Sequence, residues 1–97
     1  MISEDLIDEL MEAVRVKSSV GRTEVESLVE SCLRDMDMAG VYISNPSEPA
    51  AKNAIKLYIK GQYGYDKDND KFMDMYRALK DSMALSGDYP KEAAGNG

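Results

Sequence analysis

Between residues 53 and 89 the chain reads NAIKLYIKGQYGYDKDNDKFMDMYRALKDSMALSGDY. Apolar residues return every third or fourth position on both sides of a Gly/Tyr/Asp elbow. That period belongs to the α-helix and not to the strand, so the stretch is read as two amphipathic helices folded back on one another. Such a hairpin exposes an apolar face that the rest of the chain must cover. The same period recurs twice upstream. The expectation is all-α: a single small bundle of four main helices with short loops. The chain has 97 residues, enough for one thin core, and residues 1–90 are expected to form one helical domain.

The first helix is expected over residues 3–16. Ser3 is a good N-cap. Glu4, Asp5, Asp8 and Glu9 crowd its positive end and Arg15 and Lys17 its negative end. Ile7, Leu10, Met11 and Val14 form its buried face, with Leu6 on the edge. The acid run reads either as a solvated helix face, the ordinary case, or as a surface offered to a partner. Lys17 to Arg22 reads as a loop, after which Thr23 caps a second helix and Glu26 completes a capping-box pattern. Its stripe is Val25, Leu28, Val29, Cys32, Leu33 and Met36, and Gly40 ends it.

Val41-Tyr42-Ile43 is too short for a sheet strand and reads as an extended connector pinned to the core. Ser47 is expected to cap the third helix, with Pro49 tolerated in its first turn. Ala51, Ala54, Ile55, Tyr58 and Ile59 face inward, and Gly61 and Gly64 bracket the end. Asp68 or Asn69 caps the fourth helix. Phe72, Met75, Tyr76, Leu79, Met83 and Leu85 line its inner face, and Gly87 stops it. Residues 91–97, KEAAGNG, offer nothing to pack and are expected to form a flexible tail.

Few classes of chemistry fit these residues. There is no histidine and a single cysteine, so neither a histidine base nor an internal disulfide can be built. Cys32 sits within an apolar stripe and reads as a small core residue. Residues 66–70, DKDND, start like a calcium loop. Lys71 then stands where a turn glycine is needed, and Arg77 where a bidentate Glu is needed. An acid-rich helix start explains the same residues. No phosphate-cradling glycine motif occurs. The reading is therefore a non-enzyme, with no cofactor and no metal.

A net charge of −6 argues against sequence-specific nucleic-acid binding, which needs a clustered basic surface. No apolar run reaches the roughly 20 residues of a membrane helix. MISEDLIDELM has none of the features of a signal peptide, and the lone thiol fits a reducing cytoplasm. Six tyrosines against one phenylalanine is the unusual balance. Tyr63, Tyr65 and Tyr89, beside glycines at chain turns, either pack over helix ends or anchor an interface.

The order LIDELMEAVRVKSS, LRDMDMAGV, a proline-bearing loop, AIKLYIKGQYGYD and DKFMDMYRALKDSMALSGDY resembles the small α-helical head–tail connectors of tailed DNA phages and prophages. These are often labelled phage DNA-packaging proteins. The likeness runs from Leu6 to Tyr89, and its most specific pieces are AIKLYIKGQYGYD and YRALKDSMALSGDY.

The resemblance implies a structural protein that forms a ring beneath the portal protein, extends the DNA channel and gives a tail-completion protein its platform. It would sit at the virion head–tail junction after assembly in the host bacterial cytoplasm, and it would need no cofactor. A ring requires a heterologous interface. The candidates are Glu9 and Glu12 on the acid face of the first helix, basic positions Arg15, Arg22, Arg34 and Lys52, and the tyrosines Tyr63, Tyr65 and Tyr89. The tail at 91–97 is a candidate for ordering on the portal. The competing reading is a small cytosolic adaptor that takes a partner helix in an exposed groove. A helix-turn-helix is disfavoured by the outward Glu24, Glu26, Glu30 and Asp35, and by the loop length.

Overall fold

The computed structural model describes residues 2–15, 18–63 and 67–90. Four helices follow in order: α1 (Glu4–Ala13), α2 (Ser19–Met38), α3 (Pro49–Gln62) and α4 (Asn69–Ser86). No strand is present among the described residues, and the all-α expectation holds. The molecule measures 41 × 27 × 19 Å; the shortest dimension is about two helix diameters. The residues 91–97, Gly64, Tyr65 and Asp66 lie outside the described residues, so the expectations for the tail, the elbow tip and the start of the DKDND run fall there.

Local chemistry sets each boundary. The Ser3 hydroxyl accepts the Leu6 amide at 3.1 Å and starts α1 as expected. The helix ends earlier than residue 16, with Val14 as its C-cap. Arg15 follows at φ 59, a left-handed conformation that no α-helix continues through.

The second helix is capped five residues earlier than expected. Ser18, not Thr23, is the N-cap, and its hydroxyl accepts the Gly21 amide at 2.9 Å. Thr23 Oγ1 instead donates to the Ser19 carbonyl at 3.3 Å within the helix. Gly21 is buried in the first turn of α2. The expected loop from Lys17 to Arg22 is thus mostly first turn.

At its far end α2 closes in a Schellman motif. Gly40, at φ 90, donates to Asp37, and Val41 donates to the Met36 carbonyl at 2.8 Å. Val41 and Met36 are both fully buried, the apolar contact that accompanies this cap.

Helix α3 is capped by Glu48, not Ser47. The Glu48 carboxylate accepts the amides of Ala50 and Ala51, and Pro49 opens the helix. A carboxylate at this end also suits the macrodipole. Gly61 lies inside α3 instead of bracketing it. A Cβ there would stand 2.5 Å from Met73 Sδ of α4, so the glycine lets the two helices of the hairpin close on each other. Asp68 precedes α4 as N-cap without a side-chain capping bond. Asn69 Nδ2 donates to the Lys60 carbonyl at 2.7 Å and ties the start of α4 to the end of α3. Gly87, at φ 75, stops α4 in the left-handed conformation.

The core gathers Leu6, Ile7, Leu10 and Met11 of α1, Val25, Val29, Cys32 and Met36 of α2, Val41, then Ala54, Ile55 and Ile59 of α3, and Tyr76 and Met83 of α4. Leu6 is buried and not on an edge, because α1 is flanked by both α2 and α3. Helix α4 departs most from expectation. Its widest interface is with α3. Met75 (49% exposed) and Leu85 (88% exposed) lie in water, while Met73 packs against the core in their place. Leu28, Leu33, Tyr58, Phe72 and Leu79 are half-buried.

Candidate functional site

The α2–α3 connector and the segment after α4 meet at one end of the bundle. Val41 is anchored in the core, and the Tyr42 amide donates to the Tyr89 carbonyl at 2.9 Å. The Tyr89 hydroxyl reaches back to Glu48 Oε2 at 3.3 Å. These contacts frame a notch of about 340 Å³ whose walls include Tyr42, Ser44, Asn45, Glu48, Asp88 and Tyr89. Tyr89 thus occupies the helix-end position that its place beside a turn allowed, with its ring against the core and one edge on the notch. Loss of hydration, then the charge of Glu48, holds its hydroxyl protonated to higher pH than usual.

The other candidate residues do not converge on this place. Tyr63 is the C-cap of α3 and donates its amide to Ile59. It therefore stands at the opposite end of α3 from Glu48 and Tyr89. With 14 residues in α3, the separation is about 21 Å at 1.5 Å per residue. Tyr65 lies outside the described residues. The tyrosines at 63 and 89 are not one patch.

Two acids of α1, Asp8 and Glu9, are answered within the chain. Glu9 accepts from Lys52 Nζ and Lys56 Nζ of α3, each at 3.1 Å. These hydrogen bonds, Lys52 first, hold the Glu9 carboxyl below its ordinary pKa. Asp8 accepts from Arg22 Nη1 at 2.7 Å. Glu9, Arg22 and Lys52 therefore serve contacts between helices within the chain. Glu12, Arg15 and Arg34 are exposed, and Arg15 and Arg34 have no ion pair among the described residues.

A polar network that the sequence did not announce ties α2 to α4. Tyr76 Oη donates to Asp35 Oδ2 at 2.6 Å, and Lys80 Nζ donates to the same oxygen at 2.8 Å. Lys80 Nζ also lies 5.2 Å from the centre of the Tyr76 ring. Burial raises the Asp35 carboxyl, but the hydrogen bonds from Lys80 and Tyr76 outweigh it and leave its pKa lowered. Asp35 thus faces α4 instead of pointing outward. The signal available in sequence was an acid at position 35 beside a buried stripe, but its partners are more than 40 residues away. Tyr76 also meets Tyr58 edge to face, with ring centres 5.1 Å apart.

Cys32 is fully buried, and burial pushes its thiol up to about 12. That suits an inert core residue. Among the described residues no group of three or more His, Cys, Asp or Glu could hold a metal ion. Nor is any helix among them long and apolar enough to cross a membrane. Five residues, 14–18, separate α1 from α2, more than the three or four of a helix-turn-helix. The exposed Glu24, Glu26 and Glu30 on α2 also disfavour one.

Compared with protein-family models, with curated proteins and with solved structures, the chain matches none.

Proposed function

We propose that the protein is a head–tail connector subunit of a tailed phage or prophage. In this reading it assembles as a ring beneath the portal, extends the DNA channel and presents a platform to a tail-completion protein. The observation that carries the reading is the likeness from Leu6 to Tyr89, above all in AIKLYIKGQYGYD and YRALKDSMALSGDY. An all-α bundle with a tightly closed α3–α4 hairpin is compatible with it. So is a net charge of −6, since an acidic wall lets DNA pass without holding it.

In a heterologous ring, charges not consumed inside the subunit are the ones free to reach a neighbour. Glu12, Arg15 and Arg34 are the members of the original candidate set that meet this condition.

The test is assembly with the portal protein encoded in the same genome. Negative-stain microscopy of the mixture should show a second ring stacked coaxially on the portal. Reversing charge at Glu12 alone, or at Arg34 alone, should reduce that assembly while the circular dichroism of the protein stays unchanged. A folded subunit that never co-sediments with the portal would sink the reading. Capture of a helical peptide by the monomer would then favour the adaptor.

A further inference from the structure

Helices α1, α2 and α3 each pack on the other two, whereas α4 has an extended interface with α3 alone. Of its 18 residues only Tyr76 and Met83 are buried, against four of the ten in α1. The tie from α4 to α2 is polar and centres on one atom. Asp35 Oδ2 accepts from Tyr76 Oη at 2.6 Å and from Lys80 Nζ at 2.8 Å, and Lys80 covers the Tyr76 ring as it does so. Water reaches this clasp: the Asp35 side chain is 38% exposed and that of Lys80 17%. Beneath it lies Cys32, fully buried, with Tyr76 beside its thiol.

We infer that α4 is a clasped arm: it lifts as one unit off a three-helix body, and the hydrogen bonds from Tyr76 and Lys80 to Asp35 hold it shut. Local openings follow the thinnest packing in a fold, and α4 has the thinnest here. The body keeps a core of its own, with Leu10, Val25, Val29 and Ile55 drawn from α1, α2 and α3. Lifting the arm uncovers one surface on that body. Cys32 of α2 and Tyr58 of α3 belong to it, because both lie against Tyr76. The inference rests on the packing and the clasp and not on the connector reading, so failure of ring assembly leaves it standing.

Cys32 is the one cysteine of the chain, so its thiol reports the opening with no added label. The full-length protein is treated with iodoacetamide while hydrogen exchange is followed at the Leu10 and Val29 amides. Each rate is divided by its value in the same chain unfolded in urea. In the parent the thiol should be less protected than the two amides. Asp35→Asn should quicken thiol modification about five- to tenfold, the ratio for one charge-assisted hydrogen bond. Lys80→Gln, which keeps the bond from Tyr76 to Asp35 and so the fold, should quicken it about two- to fivefold. Ile7→Val, inside the body, should quicken the two amides about two- to tenfold and leave the thiol rate unchanged, because the arm lifts with the body intact. Equal protection of thiol and amides in the parent would overturn the inference, as would an Ile7→Val protein whose thiol quickens as much as its amides. Either would show that Cys32 waits for global unfolding. A thiol that reacts at the parent's rate in both clasp variants would overturn the role of Asp35.

Discussion

At the scale of single residues, the fold depends on a few polar groups placed where they must be answered. Tyr76 is almost fully buried, and its hydroxyl has Asp35 as acceptor. Removing the hydroxyl and removing its acceptor are different perturbations. Tyr76→Phe deletes one hydrogen bond and should cost about 1 kcal/mol. Asp35→Ala leaves both the buried hydroxyl and Lys80 without their acceptor and should cost more, about 1–3 kcal/mol. Urea denaturation of the two variants checks the order, and a costlier Tyr76→Phe would show that the Asp35 contact is not what holds the hydroxyl. Arg15 makes the opposite prediction. Its φ of 59 places an ordinary side chain in a region that costs about 1–2 kcal/mol. Arg15→Gly should therefore raise stability by about 0.5–1 kcal/mol after the entropy of the unfolded glycine is deducted. A lower urea midpoint would mean that the Arg15 side chain has a stabilising role that its exposure does not suggest.

At the scale of elements, the α3–α4 hairpin is closed by a missing side chain. Gly61→Ala forces a Cβ to 2.5 Å from Met73 Sδ and 2.6 Å from its Cγ. Relaxing that overlap displaces the Met73 side chain, and against the roughly 1 kcal/mol that alanine gains in a helix the net loss should be about 1 kcal/mol. The loss should shrink when Met73→Ala is added, a coupling that a double-mutant cycle reads directly. Additive losses would show that the close approach lies elsewhere. This contact also marks what a sequence can and cannot announce. The stripes of α1, α2 and α3 were legible because helical period alone fixes which residues share a face. The end of α2 was legible because a glycine and a buried valine spell its cap. Its start was not, because Thr23 with Glu26 completes a capping-box pattern, while Ser18, the actual cap, stands before a buried Gly21 in a stretch whose composition reads as loop. Met75 and Leu85 carry the same periodic signal as Phe72 and Leu79, but α4 packs chiefly on α3 and its outer shoulder stays wet. Glu9 looked like part of a solvated acid face because Lys52 and Lys56 stand more than 40 positions further along the chain. The notch was invisible because two stretches of chain some 40 residues apart, 42–51 and 88–90, assemble it.

At the scale of the whole molecule, charge sets the response to acid. There is no histidine, and Cys32 is pushed up to about 12. Neither a histidine nor the lone thiol therefore titrates near neutral pH, and stability should be flat there. Glu9 and Asp35 have folded pKa values lowered from 4.5 and 3.8. Below those values the unfolded chain takes up protons that the folded one resists. The stabilisation is thus complete above the ordinary values and is lost as pH falls through the folded ones. Urea midpoints should drop steeply below about pH 4.5. Glu9→Gln and Asp35→Asn should each lower the neutral midpoint and flatten the acid fall; an unchanged acid limb in both would place the titration in other carboxylates.

The hydrogen bond from the Tyr42 amide to the Tyr89 carbonyl has a practical corollary. It is a hydrogen-bonded amide in a segment with no helix around it, and its acceptor belongs to the segment of chain that follows α4. Its hydrogen-exchange rate therefore reports, at one resonance, how often that terminal segment lifts away, on a clock separate from the unfolding of the bundle beneath it.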